Sequence, residues 1–250
     1  MIIWERKHAG NHYQVRTAGE SIRLYRNQVF HSQYHGGRLL NGGVWDMLWL
    51  PLFFRQPNKS LRVLVMGVGA GAAIKKISDY VPGANIIGVD IDKIHLQIAR
   101  RFVGLERRSV SLIHANAIDW LQNYDGPAFD LIIDDLFFEQ EGEPCRAISF
   151  AANKALWFRR IKACLAPNGL LIANCVSSKE ARSLVIGALC SLPSAFASGY
   201  TLREPNYDNI ICIASCHSLK LADWRNHLSL SLGKGAAPAL NSTQKFRRLA

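Results

Sequence analysis

The chain has 250 residues, 49% of them hydrophobic and 20% charged, with a formal net charge of +11, enough apolar material for one sizeable core without disulfide support. Charge follows at once on the apolar start MIIWERKH, and Asp46 and Pro51 interrupt VWDMLWLPLFF, so neither a secretory leader nor a membrane span is expected and a cytoplasmic location is. Six cysteines without a CxxC pair point to free buried thiols and to no metal site.

The positive excess sits at the ends: residues 1–62 hold nine Lys/Arg against three acids, residues 217–250 six against one, and residues 63–216 balance at fifteen each. Solubilising charge is the simpler reading of those ends, with nucleic acid or an acidic partner left open.

Residues 1–55 read as a small β appendage with a linking helix. Residues 12–33 suggest short strands around a turn at Ala18-Gly19, and GGVWDMLWLPLFF suggests a helix that packs the appendage onto the main domain. Residues 56–218 alternate short apolar runs with helical patterns, the mark of βαβ units on a parallel sheet. Strands are predicted at LRVLVM, NIIGVD, VSLIHA, FDLIIDD and GLLIANCV, with Pro167-Asn168-Gly169 turning the chain into the last of these. ASGYTLRE and NIICIASC follow, too close together for a crossover helix, and should pair as an antiparallel hairpin. The expected fold is therefore α/β and Rossmann-like, seven strands mostly parallel with helices on both faces. Residues 219–250 lack sustained periodicity and read as a basic, mobile tail.

VLVMGVGAGAA places Gly67, Gly69 and Gly71 between a strand and a helix, where a backbone free of Cβ atoms turns sharply and comes close to a ligand. Asp90 ends the next strand, where a carboxylate can accept both hydroxyls of an adenosine ribose. These features fit S-adenosylmethionine and NAD alike. Asn116 after the third strand, two carboxylates closing FDLIIDD, and the terminal hairpin favour S-adenosylmethionine.

In that order, VFHSQYH, GVGAGA, GVDID, HANAIDW and FDLIIDDLFF make residues 20–216 resemble the spermidine/spermine synthase family, a branch of the class I S-adenosylmethionine-dependent methyltransferase fold. The resemblance implies S-adenosylmethionine or its decarboxylated form as cofactor, held by Gln33, Gly67, Gly69, Gly71, Asp90, Ile91, Asn116 and Ala117. It implies Asp135 as the base or orienting group beside the attacking nucleophile. Two acids of the family pattern are replaced, by Ala70 in the glycine loop and by Phe138 after the fourth strand. A polycation needs carboxylates, so alkyl transfer to a small-molecule acceptor, with methyl favoured, is expected ahead of aminopropyl transfer to a polyamine or a binding-only role. The acidic run from Asp130 to Glu143 offers a displaced cation site, His31 and His35 are expected to be exposed bystanders, and the appendage with Trp45–Phe54 offers a homodimer surface.

Overall fold

The structure, a computed structural model, describes residues 1–56, 60–140, 143–147, 154–191, 196–233 and 245–249. The appendage is a four-stranded antiparallel meander of β1 (Ile2–His8), β2 (Asn11–Ala18), β3 (Ser21–Arg26) and β4 (Val29–His35). Sequence patterning misses β1 because both its faces are largely exposed and no alternation marks it. In β4 the register jumps from Leu24↔Ser32 to Tyr25↔Phe30, which leaves His31 as an unpaired bulge residue.

Helix α1 (Val44–Trp49) and a 3-10 turn (Leu50–Phe54) link the appendage to the main domain. Asp46 Oδ2 accepts the N–H groups of Asn41 and Gly42 and so ties the preceding loop to the helix. Met47, Leu48, Trp49, Leu50, Leu52 and Phe53 are at most 1% exposed within this chain's own core. The apolar side chains from Met47 to Phe54 are therefore covered by this chain's own core, and the homodimer surface expected on this segment keeps only the half-buried Trp45.

The main domain runs β5 (Arg62–Met66), α2 (Ala72–Tyr80), β6 (Asn85–Asp90), α3 (Lys93–Val103), β7 (Val110–His114), α4 (Ala117–Gln122) and β8 (Phe129–Asp134). There follow β9 (Phe137–Gln140), β10 (Glu143–Arg146), α5 (Lys154–Cys164), β11 (Leu165–Cys175), α6 (Ser178–Ser191), β12 (Ser198–Arg203), β13 (Ile210–Ser215), α7 (Leu221–Leu232) and β14 (Lys245–Leu249). The sheet order is β14-β12-β13-β11-β8-β5-β6-β7. β11, β8, β5, β6 and β7 are parallel, and β13 is antiparallel to both β11 and β12. The chain leaves β5 toward β6 on one side and returns to β8 on the other, so a crevice opens beyond the carboxyl ends of these two strands. One core, with Ile74, Ile77, Leu96 and Trp224, joins the appendage to one face; the other, with Leu121, Trp157 and Ile161, covers the opposite face.

The Rossmann-like expectation holds, with three differences. The sheet has eight strands rather than seven, because β14 adds an antiparallel edge beside β12. The segment read as a mobile tail contains α7 and β14, with residues 234–244 outside those described. Only Trp224 and Leu228 of α7 are buried, too sparse a stripe to register as periodicity. The Pro167-Asn168-Gly169 turn appears as a register break inside β11, between the pairs Leu165↔Phe129 and Leu170↔Leu131. Cys164, Cys175 and Cys212 are free buried thiols as expected, Cys145 is a free thiol that is half-buried, and the side chain of Cys190 lies outside those described. Among the described residues no helix is long and apolar enough to cross a membrane.

Trp224 locks α7 onto the linking segment. Its ring is 1% exposed and packs against Phe54 and Phe246, while Nε1 donates to the Leu50 carbonyl at 2.9 Å. Trp224→Ala is expected to lower unfolding free energy by about 3–5 kcal/mol in urea titration, whereas Trp224→Phe, which keeps most of the packing, costs about 1–2 kcal/mol.

Candidate cofactor and acceptor site

The crevice is built from strand ends. Gly67 leaves β5 with φ +86°, and a Cβ there would stand 2.1 Å from the Asp135 carbonyl oxygen, so only glycine lets the ends of β5 and β8 approach this closely. The Asp135 N–H donates to the Met66 carbonyl at 2.9 Å and fixes that approach. Gly69 and Gly71 also have positive φ, and Gly71 starts α2 against Leu105.

Asp90 ends β6 beneath this loop. Its Oδ2 accepts the N–H groups of Val68 and Gly69 at 2.8 and 3.0 Å, and its Oδ1 accepts the Asp92 N–H at 2.8 Å. His95, from the first turns of α3, places Nδ1 3.6 Å from Asp90 Oδ2 and Nε2 3.7 Å from Asp92 Oδ2. Burial disfavours both charges, yet the pairing outweighs it: Asp90 is held below the usual carboxylate range and His95 is raised above the usual imidazole range. Asp92 caps α3, accepting from Ile94 and His95.

Beside Asp90, Ile91 is 69% exposed, an apolar side chain left uncovered at the carboxyl edge of the sheet. His114 Nε2 lies 3.0 Å from the Ile91 carbonyl and links this turn to the end of β7. Asn116 caps α4 by accepting the Ile118 N–H through Oδ1, and its NH2 group is left to donate. The N–H of Ala117, at the first position of α4, lies outside the helix's own ladder.

The two carboxylates that close β8 have separate fates. Asp134 is fully buried and turns into the protein, where Oδ2 takes Arg146 Nη2 at 2.7 Å and Trp157 Nε1 at 3.2 Å. Arg146, 1% exposed, also donates to the Asn174 carbonyl and lies 3.5 Å from Glu180. Asp135 faces the crevice and is half-buried; its Oδ1 accepts Asn174 Nδ2 at 2.8 Å, and Asn174 Oδ1 in turn accepts Asn209 Nδ2 at 3.0 Å. Burial pushes the Asp135 carboxyl up to about 7, against the pull of Asn174 and Arg146.

Gly67, Gly69, Gly71, Asp90, Ile91, Asn116, Ala117 and Asp135 thus share the crevice edge. Gln33 does not join them: it lines a pocket of the appendage whose walls include no residue of the glycine loop. The β4 bulge instead presents His31 and Ser32, whose atoms would lie 3.6 and 3.7 Å from a Cβ on Gly69. His31 and His35 are not exposed bystanders. His31 Nε2 is buried without a partner, and burial together with His95 lowers this imidazole to about 4, so it is neutral; His35 is 8% exposed.

The cation site expected in the acidic run rests on side chains that lie mostly outside those described. Asp130 is paired with Arg55 at 2.8 Å and Asp134 with Arg146, β9 and β10 form a hairpin there, and the side chains of Glu139, Glu141 and Glu143 lie outside those described. Sequence reasoning passes over Arg146, Asn174, Asn209 and His95. Asn174, a polar residue at the end of the apolar run GLLIANC, and His95, three residues after Asp92, leave a trace in the sequence; Arg146 leaves none, because its partner is defined only by the fold.

A methyltransferase-domain model matches residues 64–171. A probable spermidine synthase from Corynebacterium glutamicum superposes with TM-score 0.72 at 17% identity, over 99% of this chain and 91% of that one. Human methyltransferase-like protein 13, solved with SAH, superposes with TM-score 0.62 at 22% identity, over 79% and 90% of the two chains. These likenesses show the fold: the Rossmann-like α/β sheet is shared with both proteins. In sequence, the chain is 29% identical over 198 residues to the eEF1A lysine and N-terminal methyltransferase homolog of Drosophila melanogaster, covering 75% of this chain and 28% of that protein. The chain spans under a third of the length of such curated relatives.

The chemistry of the residues at this crevice edge would suit an adenosyl nucleoside. The exposed Ile91 supplies an apolar surface for a purine, the Asn116 amide and Ala117 N–H supply donors for ring nitrogens, and Asp90 Oδ1 retains acceptor capacity for a ribose hydroxyl.

Arg146→Met is expected to strand the Asp134 charge in the interior and to lower stability by about 3–5 kcal/mol. The double change with Asp134→Leu should recover much of that loss, as read by chemical denaturation.

Proposed function

We propose that this chain transfers a methyl group from S-adenosylmethionine to a small nucleophilic acceptor, with Asp135 as the base. The observation that carries this reading is the division of labour at the end of β8. Asp134 is spent on Arg146, which leaves Asp135 as the one carboxylate of the pair that faces the crevice. Ala70 is 2% exposed and Phe138 40% exposed, in the places where the resembling family carries acids. A polyamine, a polycation, finds few carboxylates among these described residues; a neutral nucleophile needs only one base.

S-adenosylmethionine, when bound, supplies an electrophilic carbon on a sulfonium. The residues of this chain would do the rest. Asp90 holds the glycine loop in shape and would meet the ribose, Ile91 and Asn116 would flank the purine, and the neutral His31 and Ser32 close the loop from the appendage side. Asp135 takes the acceptor's proton on its carboxylate as the nucleophile attacks, while Asn174, steadied by Asn209, fixes the carboxylate plane. A carboxyl raised to about 7 is better matched to this proton transfer at neutral pH than an ordinary aspartate.

Aminopropyl transfer is the second reading, supported by the likeness to a spermidine synthase over 99% of the chain, appendage included. Purified protein incubated with methyl-labelled S-adenosylmethionine, or with the decarboxylated form and putrescine, separates the two. Label transfer from the intact cofactor supports methyl transfer; turnover of the decarboxylated form alone overturns it.

Asp135→Asn is expected to reduce kcat by about 10²–10⁴-fold while leaving S-adenosylhomocysteine affinity nearly unchanged. The wild-type rate should rise as pH increases through about 7, the carboxyl's raised value. Because the folded value lies above the unfolded one, ionisation of Asp135 opposes folding: its penalty is absent below the unfolded value, grows as pH rises toward 7 and then levels off. The asparagine variant should therefore lose less stability than wild type across that window in pH-dependent melts.

A further inference from the structure

The pocket that holds Gln33 is cationic. It encloses about 410 Å³ between the turn at Gly19, β3, β4 and the loop that leads to α1. Arg23 and Arg38 line it with Gln33, His35, Asn41 and one acid, Glu20. Glu20 is only a weak counterweight: its carboxylate is 80% exposed and lies 3.7 Å from His35 Nε2.

Its walls are fixed in advance. Gln33 Oε1 accepts Arg23 Nε at 2.9 Å, which sets the guanidinium plane and leaves the two terminal NH2 groups as a fork. The loop is pinned from behind by the buried Lys76, which donates to the His35 and Arg38 carbonyls, and by Asp46, which takes the Asn41 and Gly42 N–H groups. Asn41 Oδ1 is buried and has no partner, so a donor is missing there. The loop also meets Tyr207: its hydroxyl lies 3.4 Å from where a Cβ on Gly43 would stand, and burial and Asp46 raise this phenol against the opposing pull of Arg23. Tyr207 stands two residues before Asn209, the last member of the chain Asp135–Asn174–Asn209. The cationic pocket and the proposed base therefore border the same stretch of the hairpin loop between β12 and β13.

We propose that this pocket binds the anionic group of the acceptor, a carboxylate or phosphate seated on the Arg23 fork with Arg38 beside it. The inference rests on the reading of the crevice as the cofactor site and names the class of acceptor for it: a small anion-bearing nucleophile rather than a polyamine. A planar fork held by Gln33 matches two oxygens of such a group.

Calorimetry at low ionic strength tests this with malonate, inorganic phosphate and putrescine as probes, on the wild type, Arg23→Gln and Arg38→Gln, with S-adenosylhomocysteine and methylthioadenosine titrated separately into each. Malonate or phosphate is expected to bind the wild type more tightly than putrescine, and the preferred anion shows which of the two groups the fork favours. Arg23→Gln should weaken that anion on the order of 10- to 100-fold, with S-adenosylhomocysteine affinity unchanged. The proposal is overturned if putrescine binds best, or if neither arginine variant weakens anion binding. It is also overturned if Arg23→Gln weakens S-adenosylhomocysteine but not methylthioadenosine, because the fork would then serve the cofactor's own carboxylate. Anion binding in a protein that ignores S-adenosylhomocysteine would instead sink the cofactor reading and leave the anion site in place.

Discussion

The crevice depends on the contact between the exits of β5 and β8. With Gly67 lacking a side chain, the Asp135 carbonyl comes within 2.1 Å of where a Cβ would stand, and the Asp135 N–H closes on Met66 at 2.9 Å. This one approach sets the mouth of the glycine loop and also aims Asp135 out of the sheet while Asp134, one residue earlier, points in. Strand alternation then gives the neighbours opposite environments, and their chemistry diverges accordingly.

Around that contact the protein manages several buried carboxylates with different partners. Asp90 is satisfied by backbone N–H groups and His95, Asp134 by a buried guanidinium and an indole, and Asp46 by the loop it closes. Each tie fixes a piece of backbone that borders the crevice or the appendage pocket. Asp135 has a side-chain amide for company but no direct cation, and burial raises it to about 7; Asp46, which also lacks a direct cation, is raised as well but is spent on the loop it closes. Removal of counter-charge from one member of a carboxylate set is what makes a base out of an ordinary aspartate.

Much of this architecture was legible in the residues. The five apolar runs that became parallel strands, the terminal hairpin and the two carboxylates that close FDLIIDD follow from local pattern, because a βαβ unit writes its period into the chain, while Asp135 is singled out by the family resemblance. What was not legible depends on contacts between distant segments. Arg146 carries no mark of its meeting with Asp134. The one-residue bulge at His31 shifts β4 so that His31 and Ser32, not Gln33, reach the glycine loop, and nothing in VFHSQYH announces it. The helix at 221–232 escaped for the opposite reason: its hold on the domain is concentrated in Trp224 and Leu228, and two side chains do not make a periodicity.

The hydrogen bond from Trp224 to Leu50 joins residues 174 positions apart. A contact of such long range repays its loop-closure entropy late, after the sheet between the two segments is in place. As the chain is synthesised, the apolar turn at Leu50–Phe54 is therefore made early and covered last. Through most of translation that greasy surface stays open to solvent, which makes it a natural landing place for a chaperone and the point at which a stalled or clipped chain would begin to aggregate.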